Sequence, residues 1–272
     1  MEQTVLDGLT LEYEVSGTGE VVALIHGALI ADAFWPLLAE PSLTGRCRLI
    51  AYHRRGYAGS SGPPGPVSVT QQAADCRALL RDLGVERAHI VGHSFGGAIA
   101  LQLALDAPDL VHSLAVLEPA LIVGESAQSY RESLARGEQR YREAGAATVV
   151  DEFLRARWPG YRAELDRILP GAFEQAVADA GASFELELPA LRDWCFGEAE
   201  ARRITQPVLV VLGAESGALS PRFGETYRLL LAWLPRAEGH ILTGAAHGQQ
   251  MQDPRGVAEV LAAFYARHPI PI

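Results

Sequence analysis

The chain has 272 residues, 49% of them hydrophobic and 21% charged, with a formal net charge of -10. Such a composition builds a globular core and excludes a disordered chain, and the acidic balance gives no footing for a nucleic-acid or anionic-membrane partner. All 23 basic residues are Arg, and Cys47, Cys76 and Cys195 lack the paired spacing of a disulfide framework or a zinc site. No apolar run is long enough for a membrane span, and Met1-Glu2-Gln3-Thr4 has no signal-peptide pattern. A cytoplasmic protein, monomer or homodimer, is the expectation.

In chain order, residues 4–6 and 10–16 read as a hairpin around Asp7-Gly8. Residues 21–25, 88–91, 114–117 and 207–212 are continuous apolar runs of the kind buried on both faces of a parallel sheet, and 48–52 is a less apolar strand. Helical patterns separate them. Residues 70–83 put Ala73, Leu79, Leu80 and Leu83 on one stripe after Thr70. Asp253-Pro254 offers an N-cap and a first-turn proline before Val257, Val260, Leu261 and Phe264. Alternation of strands and helices predicts an α/β fold with a mostly parallel sheet.

Residues 121–200 break that rhythm, with charged helical segments, no buried-strand run, nine aromatics, and 15 acids against 9 arginines. This segment reads as a helical cap inserted into a core made of 1–120 and 201–272. Its acidic exterior hints at neutral rather than anionic substrates, although a solvated outer face accounts for the charge equally well. Trp158 and Trp194, with Leu29 from the core, are the candidate substrate-binding residues.

The chemistry concentrates in Gly92-His93-Ser94-Phe95-Gly96, where an apolar strand runs without a loop into a helix-compatible segment. Gly-x-Ser-x-Gly at a sharp strand-to-helix turn lifts the serine Oγ above the sheet, at a helix N-terminus that favours developing negative charge. On these residues the chain resembles the α/β-hydrolase superfamily along essentially its whole length. The resemblance implies an eight-stranded sheet, Ser94 as nucleophile, and an oxyanion hole from the backbone N–H groups of Ala28 and Phe95. Ala28 belongs to Leu24-Ile25-His26-Gly27-Ala28, similar to the family's His-Gly loop, in which His26 is expected to steady the backbone. His53-Arg54-Arg55-Gly56-Tyr57-Ala58-Gly59-Ser60 is similar to another family loop, departing at His53, where Asp is usual, and at Ala58, where Gly is usual. It is read as scaffold.

The resemblance also implies a histidine after the last strand, and His247 in Thr243-Gly244-Ala245-Ala246-His247 matches that place. The third member is open. After the seventh strand, Gly213-Ala214-Glu215-Ser216 puts Ser216 where the family's acid stands and Glu215 one residue early. After the sixth, Leu117 is followed by Glu118, a carboxylate at the tip of an apolar strand that is costly without a partner. That placement is similar to zearalenone lactonases. Glu118 is the first candidate, Glu215 the alternative, and a Ser94–His247 dyad the third reading.

The function expected is a serine hydrolase cleaving a small apolar ester or lactone, with no metal or organic cofactor. Ser at position 94 argues against haloalkane dehalogenases and epoxide hydrolases, whose resemblance would demand Asp. A C–C bond hydrolase, a perhydrolase and a non-catalytic ligand receptor remain as alternatives.

Overall fold

The computed structural model describes residues 1–62 and 65–271. Eight strands form one sheet in the order β1-β2-β4-β3-β5-β6-β7-β8. They are β1 (Glu2–Leu6), β2 (Leu9–Ser16), β3 (Glu20–Ile25), β4 (Cys47–Tyr52), β5 (Ala88–His93), β6 (Val111–Leu117), β7 (Val208–Gly213) and β8 (Ala237–Leu242). The β1–β2 hairpin pairs antiparallel, and β2 pairs antiparallel with β4. Every pairing from β4 to β8 is parallel. The sequence anticipated this α/β-hydrolase architecture.

Period-2 alternation in the central strands divides the interior into two cores. Ala23, Ile25, Ile90, Leu114 and Val116 face one side, where they pack with the helices Val69–Asp82 and Phe95–Asp106. Val22, Leu24, Val91, Ala115 and Leu117 face the other, against Leu261 and Phe264 of the helix Pro254–Arg267. Because both faces are covered, these strands are apolar at every position, and no alternating pattern is visible in their sequence. The first of those helices is capped by Ser68, whose side chain accepts from Gln71 N–H, rather than starting after Thr70.

Between β6 and β7 the chain forms only helices, among them Ala127–Ala144, Ala146–Arg155, Tyr161–Ile168 and Leu188–Asp193. A π-helical turn, Ala182–Glu187, ties this segment to the sheet side. Glu187 pairs with the fully buried Arg54 and accepts from Tyr57 at 2.6 Å. Arg54 in turn donates to the carbonyls of His26 and Gly27, at 3.0 and 2.8 Å. The His53–Ser60 loop thus serves as a polar strut under the His26–Ala28 loop. His53, where the family has Asp, is itself held between Glu12 and Asp32 at 2.8 and 2.7 Å. Burial works against its charge, but those two hydrogen-bonded carboxylates outweigh it and raise its pKa.

Candidate active site

The turn after β5 is forced. Ser94 has φ +52°, ψ -116°, a strained conformation for a non-glycine residue, worth roughly 1–3 kcal/mol. Its flanks must be bare: a Cβ at Gly92 would strike the Gly96 carbonyl, and one at Gly96 would strike the Ile25 carbonyl. The strand tip next door is locked to it. Ser94 N–H donates to Leu117 O at 3.0 Å, and Ala120 N–H donates to Ser94 O at 2.8 Å. Glu118, between those two partners, also has a positive φ, +45°. Two strained residues side by side are held by the same backbone bonds.

His247 reaches this point from the loop after β8. Its Nε2 lies 3.1 Å from Ser94 Oγ, and its Nδ1 lies 2.6 Å from Glu118 Oε2. The other Glu118 oxygen accepts from Gly213 N–H at 2.8 Å, so both carboxylate oxygens are engaged. A carboxylate only accepts, which places the imidazole proton on Nδ1 and leaves Nε2 as the acceptor facing Ser94. Burial first, then the charges of Arg222 and Arg157, hold His247 well below the usual histidine range. Burial pushes the Glu118 carboxyl up, opposed by Ser216, the Gly213 amide, His93 and Arg222. The buried Ser216 hydroxyl has no partner in good hydrogen-bond geometry, yet its dipole lies close enough to favour the ionised carboxylate.

Glu215 is exposed, and its N–H donates to Ala245 O at 3.0 Å, where it fixes the loop that carries His247. Its carboxylate is not brought to the imidazole, because the chain turns at the end of β7 and directs Ser216 inward instead. His26 receives Arg54 N–H on Nε2 and directs Nδ1 to the Gly27 carbonyl, a backbone-steadying geometry.

A small cavity of about 40 Å³ adjoins Ser94 and is lined by Ala28, Ile30, Phe153, Arg157, Trp158 and Met251, among others. Trp158 lies in this lining, with its indole N–H on Glu164 at 2.9 Å. Trp194 and Leu29 are not in the lining. Trp194 stacks on Phe196 and donates to Gln102 of the helix Phe95–Asp106. Leu29 is fully buried, with its N–H on Ser183 Oγ at 3.1 Å. Phe95 likewise contributes no side chain to the lining and packs beneath, under Arg54. Sequence reasoning missed Arg157, Arg222 and His93. The last donates from Nε2 to His247 O at 2.8 Å and is driven down to about 3 by burial and then by His247. A wider open groove of about 970 Å³ runs between the β1–β2 turn and the helix Val69–Asp82, and none of Ser94, Glu118 or His247 lines it.

Among the described residues, no group of three or more His, Cys, Asp or Glu is gathered as a metal site, and no helix is long and apolar enough to cross a membrane. The family model of the alpha/beta hydrolase fold matches residues 20–254. The chain belongs to that family. Fluoroacetate dehalogenase from a Burkholderia species is 40% identical to this hydrolase-fold chain over 115 residues, 40% of the chain and 38% of the relative. The chain thus matches well under half the length of that relative. A 2-hydroxymuconate semialdehyde hydrolase from Pseudomonas putida is 26% identical over 92% of the chain and 88% of the relative. The enol-lactonase from Burkholderia xenovorans LB400 shares the fold at a TM-score of 0.80 and 21% identity, covering 97% of this chain and 100% of that one.

Proposed function

We propose that this family member is a serine hydrolase of carboxylic esters or lactones, using Ser94, His247 and Glu118. The observation that carries the reading is the unbroken hydrogen-bond chain from Ser94 Oγ through both imidazole nitrogens to a buried carboxylate. Ser94 Oγ attacks the carbonyl carbon while its proton passes to His247 Nε2, and Glu118 stabilises the imidazolium so formed. The N–H groups of Ala28 and Phe95 hold the oxyanion. Collapse expels the alkoxide, which takes the proton from Nε2. Water, deprotonated by the same nitrogen, then cleaves the acyl-enzyme to the free acid and restores Ser94. In a lactone the two products stay joined as one hydroxy acid.

Residues 121–200 act as a cap in this reading, and Trp158 contributes to the acyl pocket. A cavity of about 40 Å³ has room for roughly three water molecules, which favours compact acyl groups. Resemblance to a dehalogenase does not bring that chemistry along, since Ser stands at position 94 where its mechanism would require Asp. A fluorophosphonate probe tests the nucleophile: wild type is labelled at Ser94 and Ser94→Ala is not, with hydrolysis of p-nitrophenyl acetate lost in parallel. Labelling at another serine, or unchanged turnover in Ser94→Ala, overturns the mechanism.

A further inference from the structure

Buried arginines in this protein normally have a carboxylate. Arg54 has Glu187, and Arg55 has Asp75. Two arginines whose charges bear on His247, the buried Arg222 and the half-buried Arg157, have none. Arg222, in the first turn of the helix Pro221–Trp233, is 8% exposed, and its buried Nη1 has no hydrogen-bond partner. Its guanidinium lies between the rings of Tyr130 and Phe223, at 4.2 and 4.0 Å. Arg157 follows the helix Ala146–Arg155 and lines the cavity that adjoins Ser94. Half-buried, it stacks on Phe153 at 3.4 Å and, among the described residues, donates only to the Phe153 carbonyl, at 3.1 Å. Among the described residues neither arginine forms a salt bridge. Glu118, the carboxylate on which the charge of Arg222 acts, has both oxygens committed to His247 and Gly213.

We infer that this site takes a substrate bearing a free carboxylate, which Arg157 binds from the cavity lining with the charge of Arg222 behind it. The inference rests on the hydrolase reading of Ser94 and names its substrate class as a short ester or lactone of a dicarboxylic or similarly anionic acid. Aromatic faces partly stabilise a guanidinium, but they leave the buried Arg222 Nη1 unmet, and two like charges near one another in a partly desolvated site repel. Burial and then the charge of Arg222 lower Arg157 to about 10. A carboxylate in the cavity would accept charge-assisted, forked hydrogen bonds from Arg157 and offset the repulsion between the two guanidinium groups. The site is therefore locally cationic inside a chain of net charge -10. This reverses the expectation of neutral substrates drawn from the acidic residues of 121–200, which lie mainly on the outer face.

The test compares two substrates of one shape, monomethyl succinate and dimethyl succinate, at neutral pH in low salt. Wild type should favour the charged monoester in kcat/KM by about tenfold or more, the range expected for a hydrogen bond to a charged group. Arg157→Met should collapse that ratio towards about one, chiefly through KM, Arg222→Met should lower it less, and Arg157→Lys should restore part of it. In parallel, calorimetry on Ser94→Ala should show succinate binding that Arg157→Met removes; thermal melts verify folding, and the Lys variants decide if a Met variant unfolds. A wild-type ratio of one or less, unmoved by the Arg variants, with no succinate binding, overturns the anion site while ester hydrolysis stands. Arg157-dependent succinate binding without turnover of either ester keeps the anion site and overturns the hydrolase reading.

Discussion

Replacing Glu118 with Gln separates the two candidate acids, because the structure gives each carboxylate oxygen a distinct donor. Oε1 receives Gly213 N–H and Oε2 receives His247 Nδ1–H. A glutamine has one acceptor oxygen and one NH₂. If the oxygen serves His247, the NH₂ confronts the Gly213 donor. If it serves Gly213, the NH₂ forces Nδ1 to accept, and the imidazole proton moves to Nε2, where it can no longer receive the proton of Ser94. Either way the charge that stabilises imidazolium in the proposed mechanism is gone. Loss of that charge and tautomer in a serine-protease triad costs roughly 10⁴ in kcat, about 5.4 kcal/mol of barrier. Stability should move little. Burial raises the Glu118 pKa, so the ionised carboxylate is a burden on the fold at neutral pH, and removing its charge offsets the unfavourable amide contact. The assay is steady-state hydrolysis of p-nitrophenyl acetate with thermal melts in parallel. Glu215→Gln, at an exposed position, should stay within about threefold of wild type. A well-folded Glu118→Gln enzyme with wild-type kcat, or a large loss in Glu215→Gln instead, refutes the assignment.

Two further outcomes follow from the same contacts. With His247 held below the usual histidine range by burial, Arg222 and Arg157, the neutral base persists as pH falls. The acid limb of kcat/KM should therefore lie below pH 6.5, the ordinary histidine value. Glu118, His93 and Ser94 also face the ring. Arg157→Met, which removes a positive charge, should move the limb upward, and a limb at or above 6.5 in wild type contradicts the burial argument. Glu187→Gln should leave Arg54 charged and without its carboxylate in the interior, lowering unfolding free energy by about 3–5 kcal/mol in a urea titration; a loss under about 1 kcal/mol would mean that water compensates Arg54.

The sequence by itself determined the alternation of elements, the strand-to-helix turn at Ser94 and the loop that carries His247. These are local: apolar runs, helical spacing and glycines flanking a serine are written within a dozen residues of one another. The choice between Glu118 and Glu215 was not local. Both follow a strand of the same sheet, and the side chain that meets His247 is decided by the pairing of β6 with β7 and by the loop after β8, which packs on Gly213 and leaves no space for a Cβ there. Leu29 and Trp194 had the right residue type for a pocket wall, yet Leu29 is fully buried, Trp194 is engaged by Gln102, and neither lines the cavity. Arg157 and Arg222 gave no signal in a chain whose basic residues are all Arg. Only the fold brings a guanidinium from the helical segment and one from the core to the same imidazole, because a charge left without a carboxylate can be recognised only once every neighbour is in place.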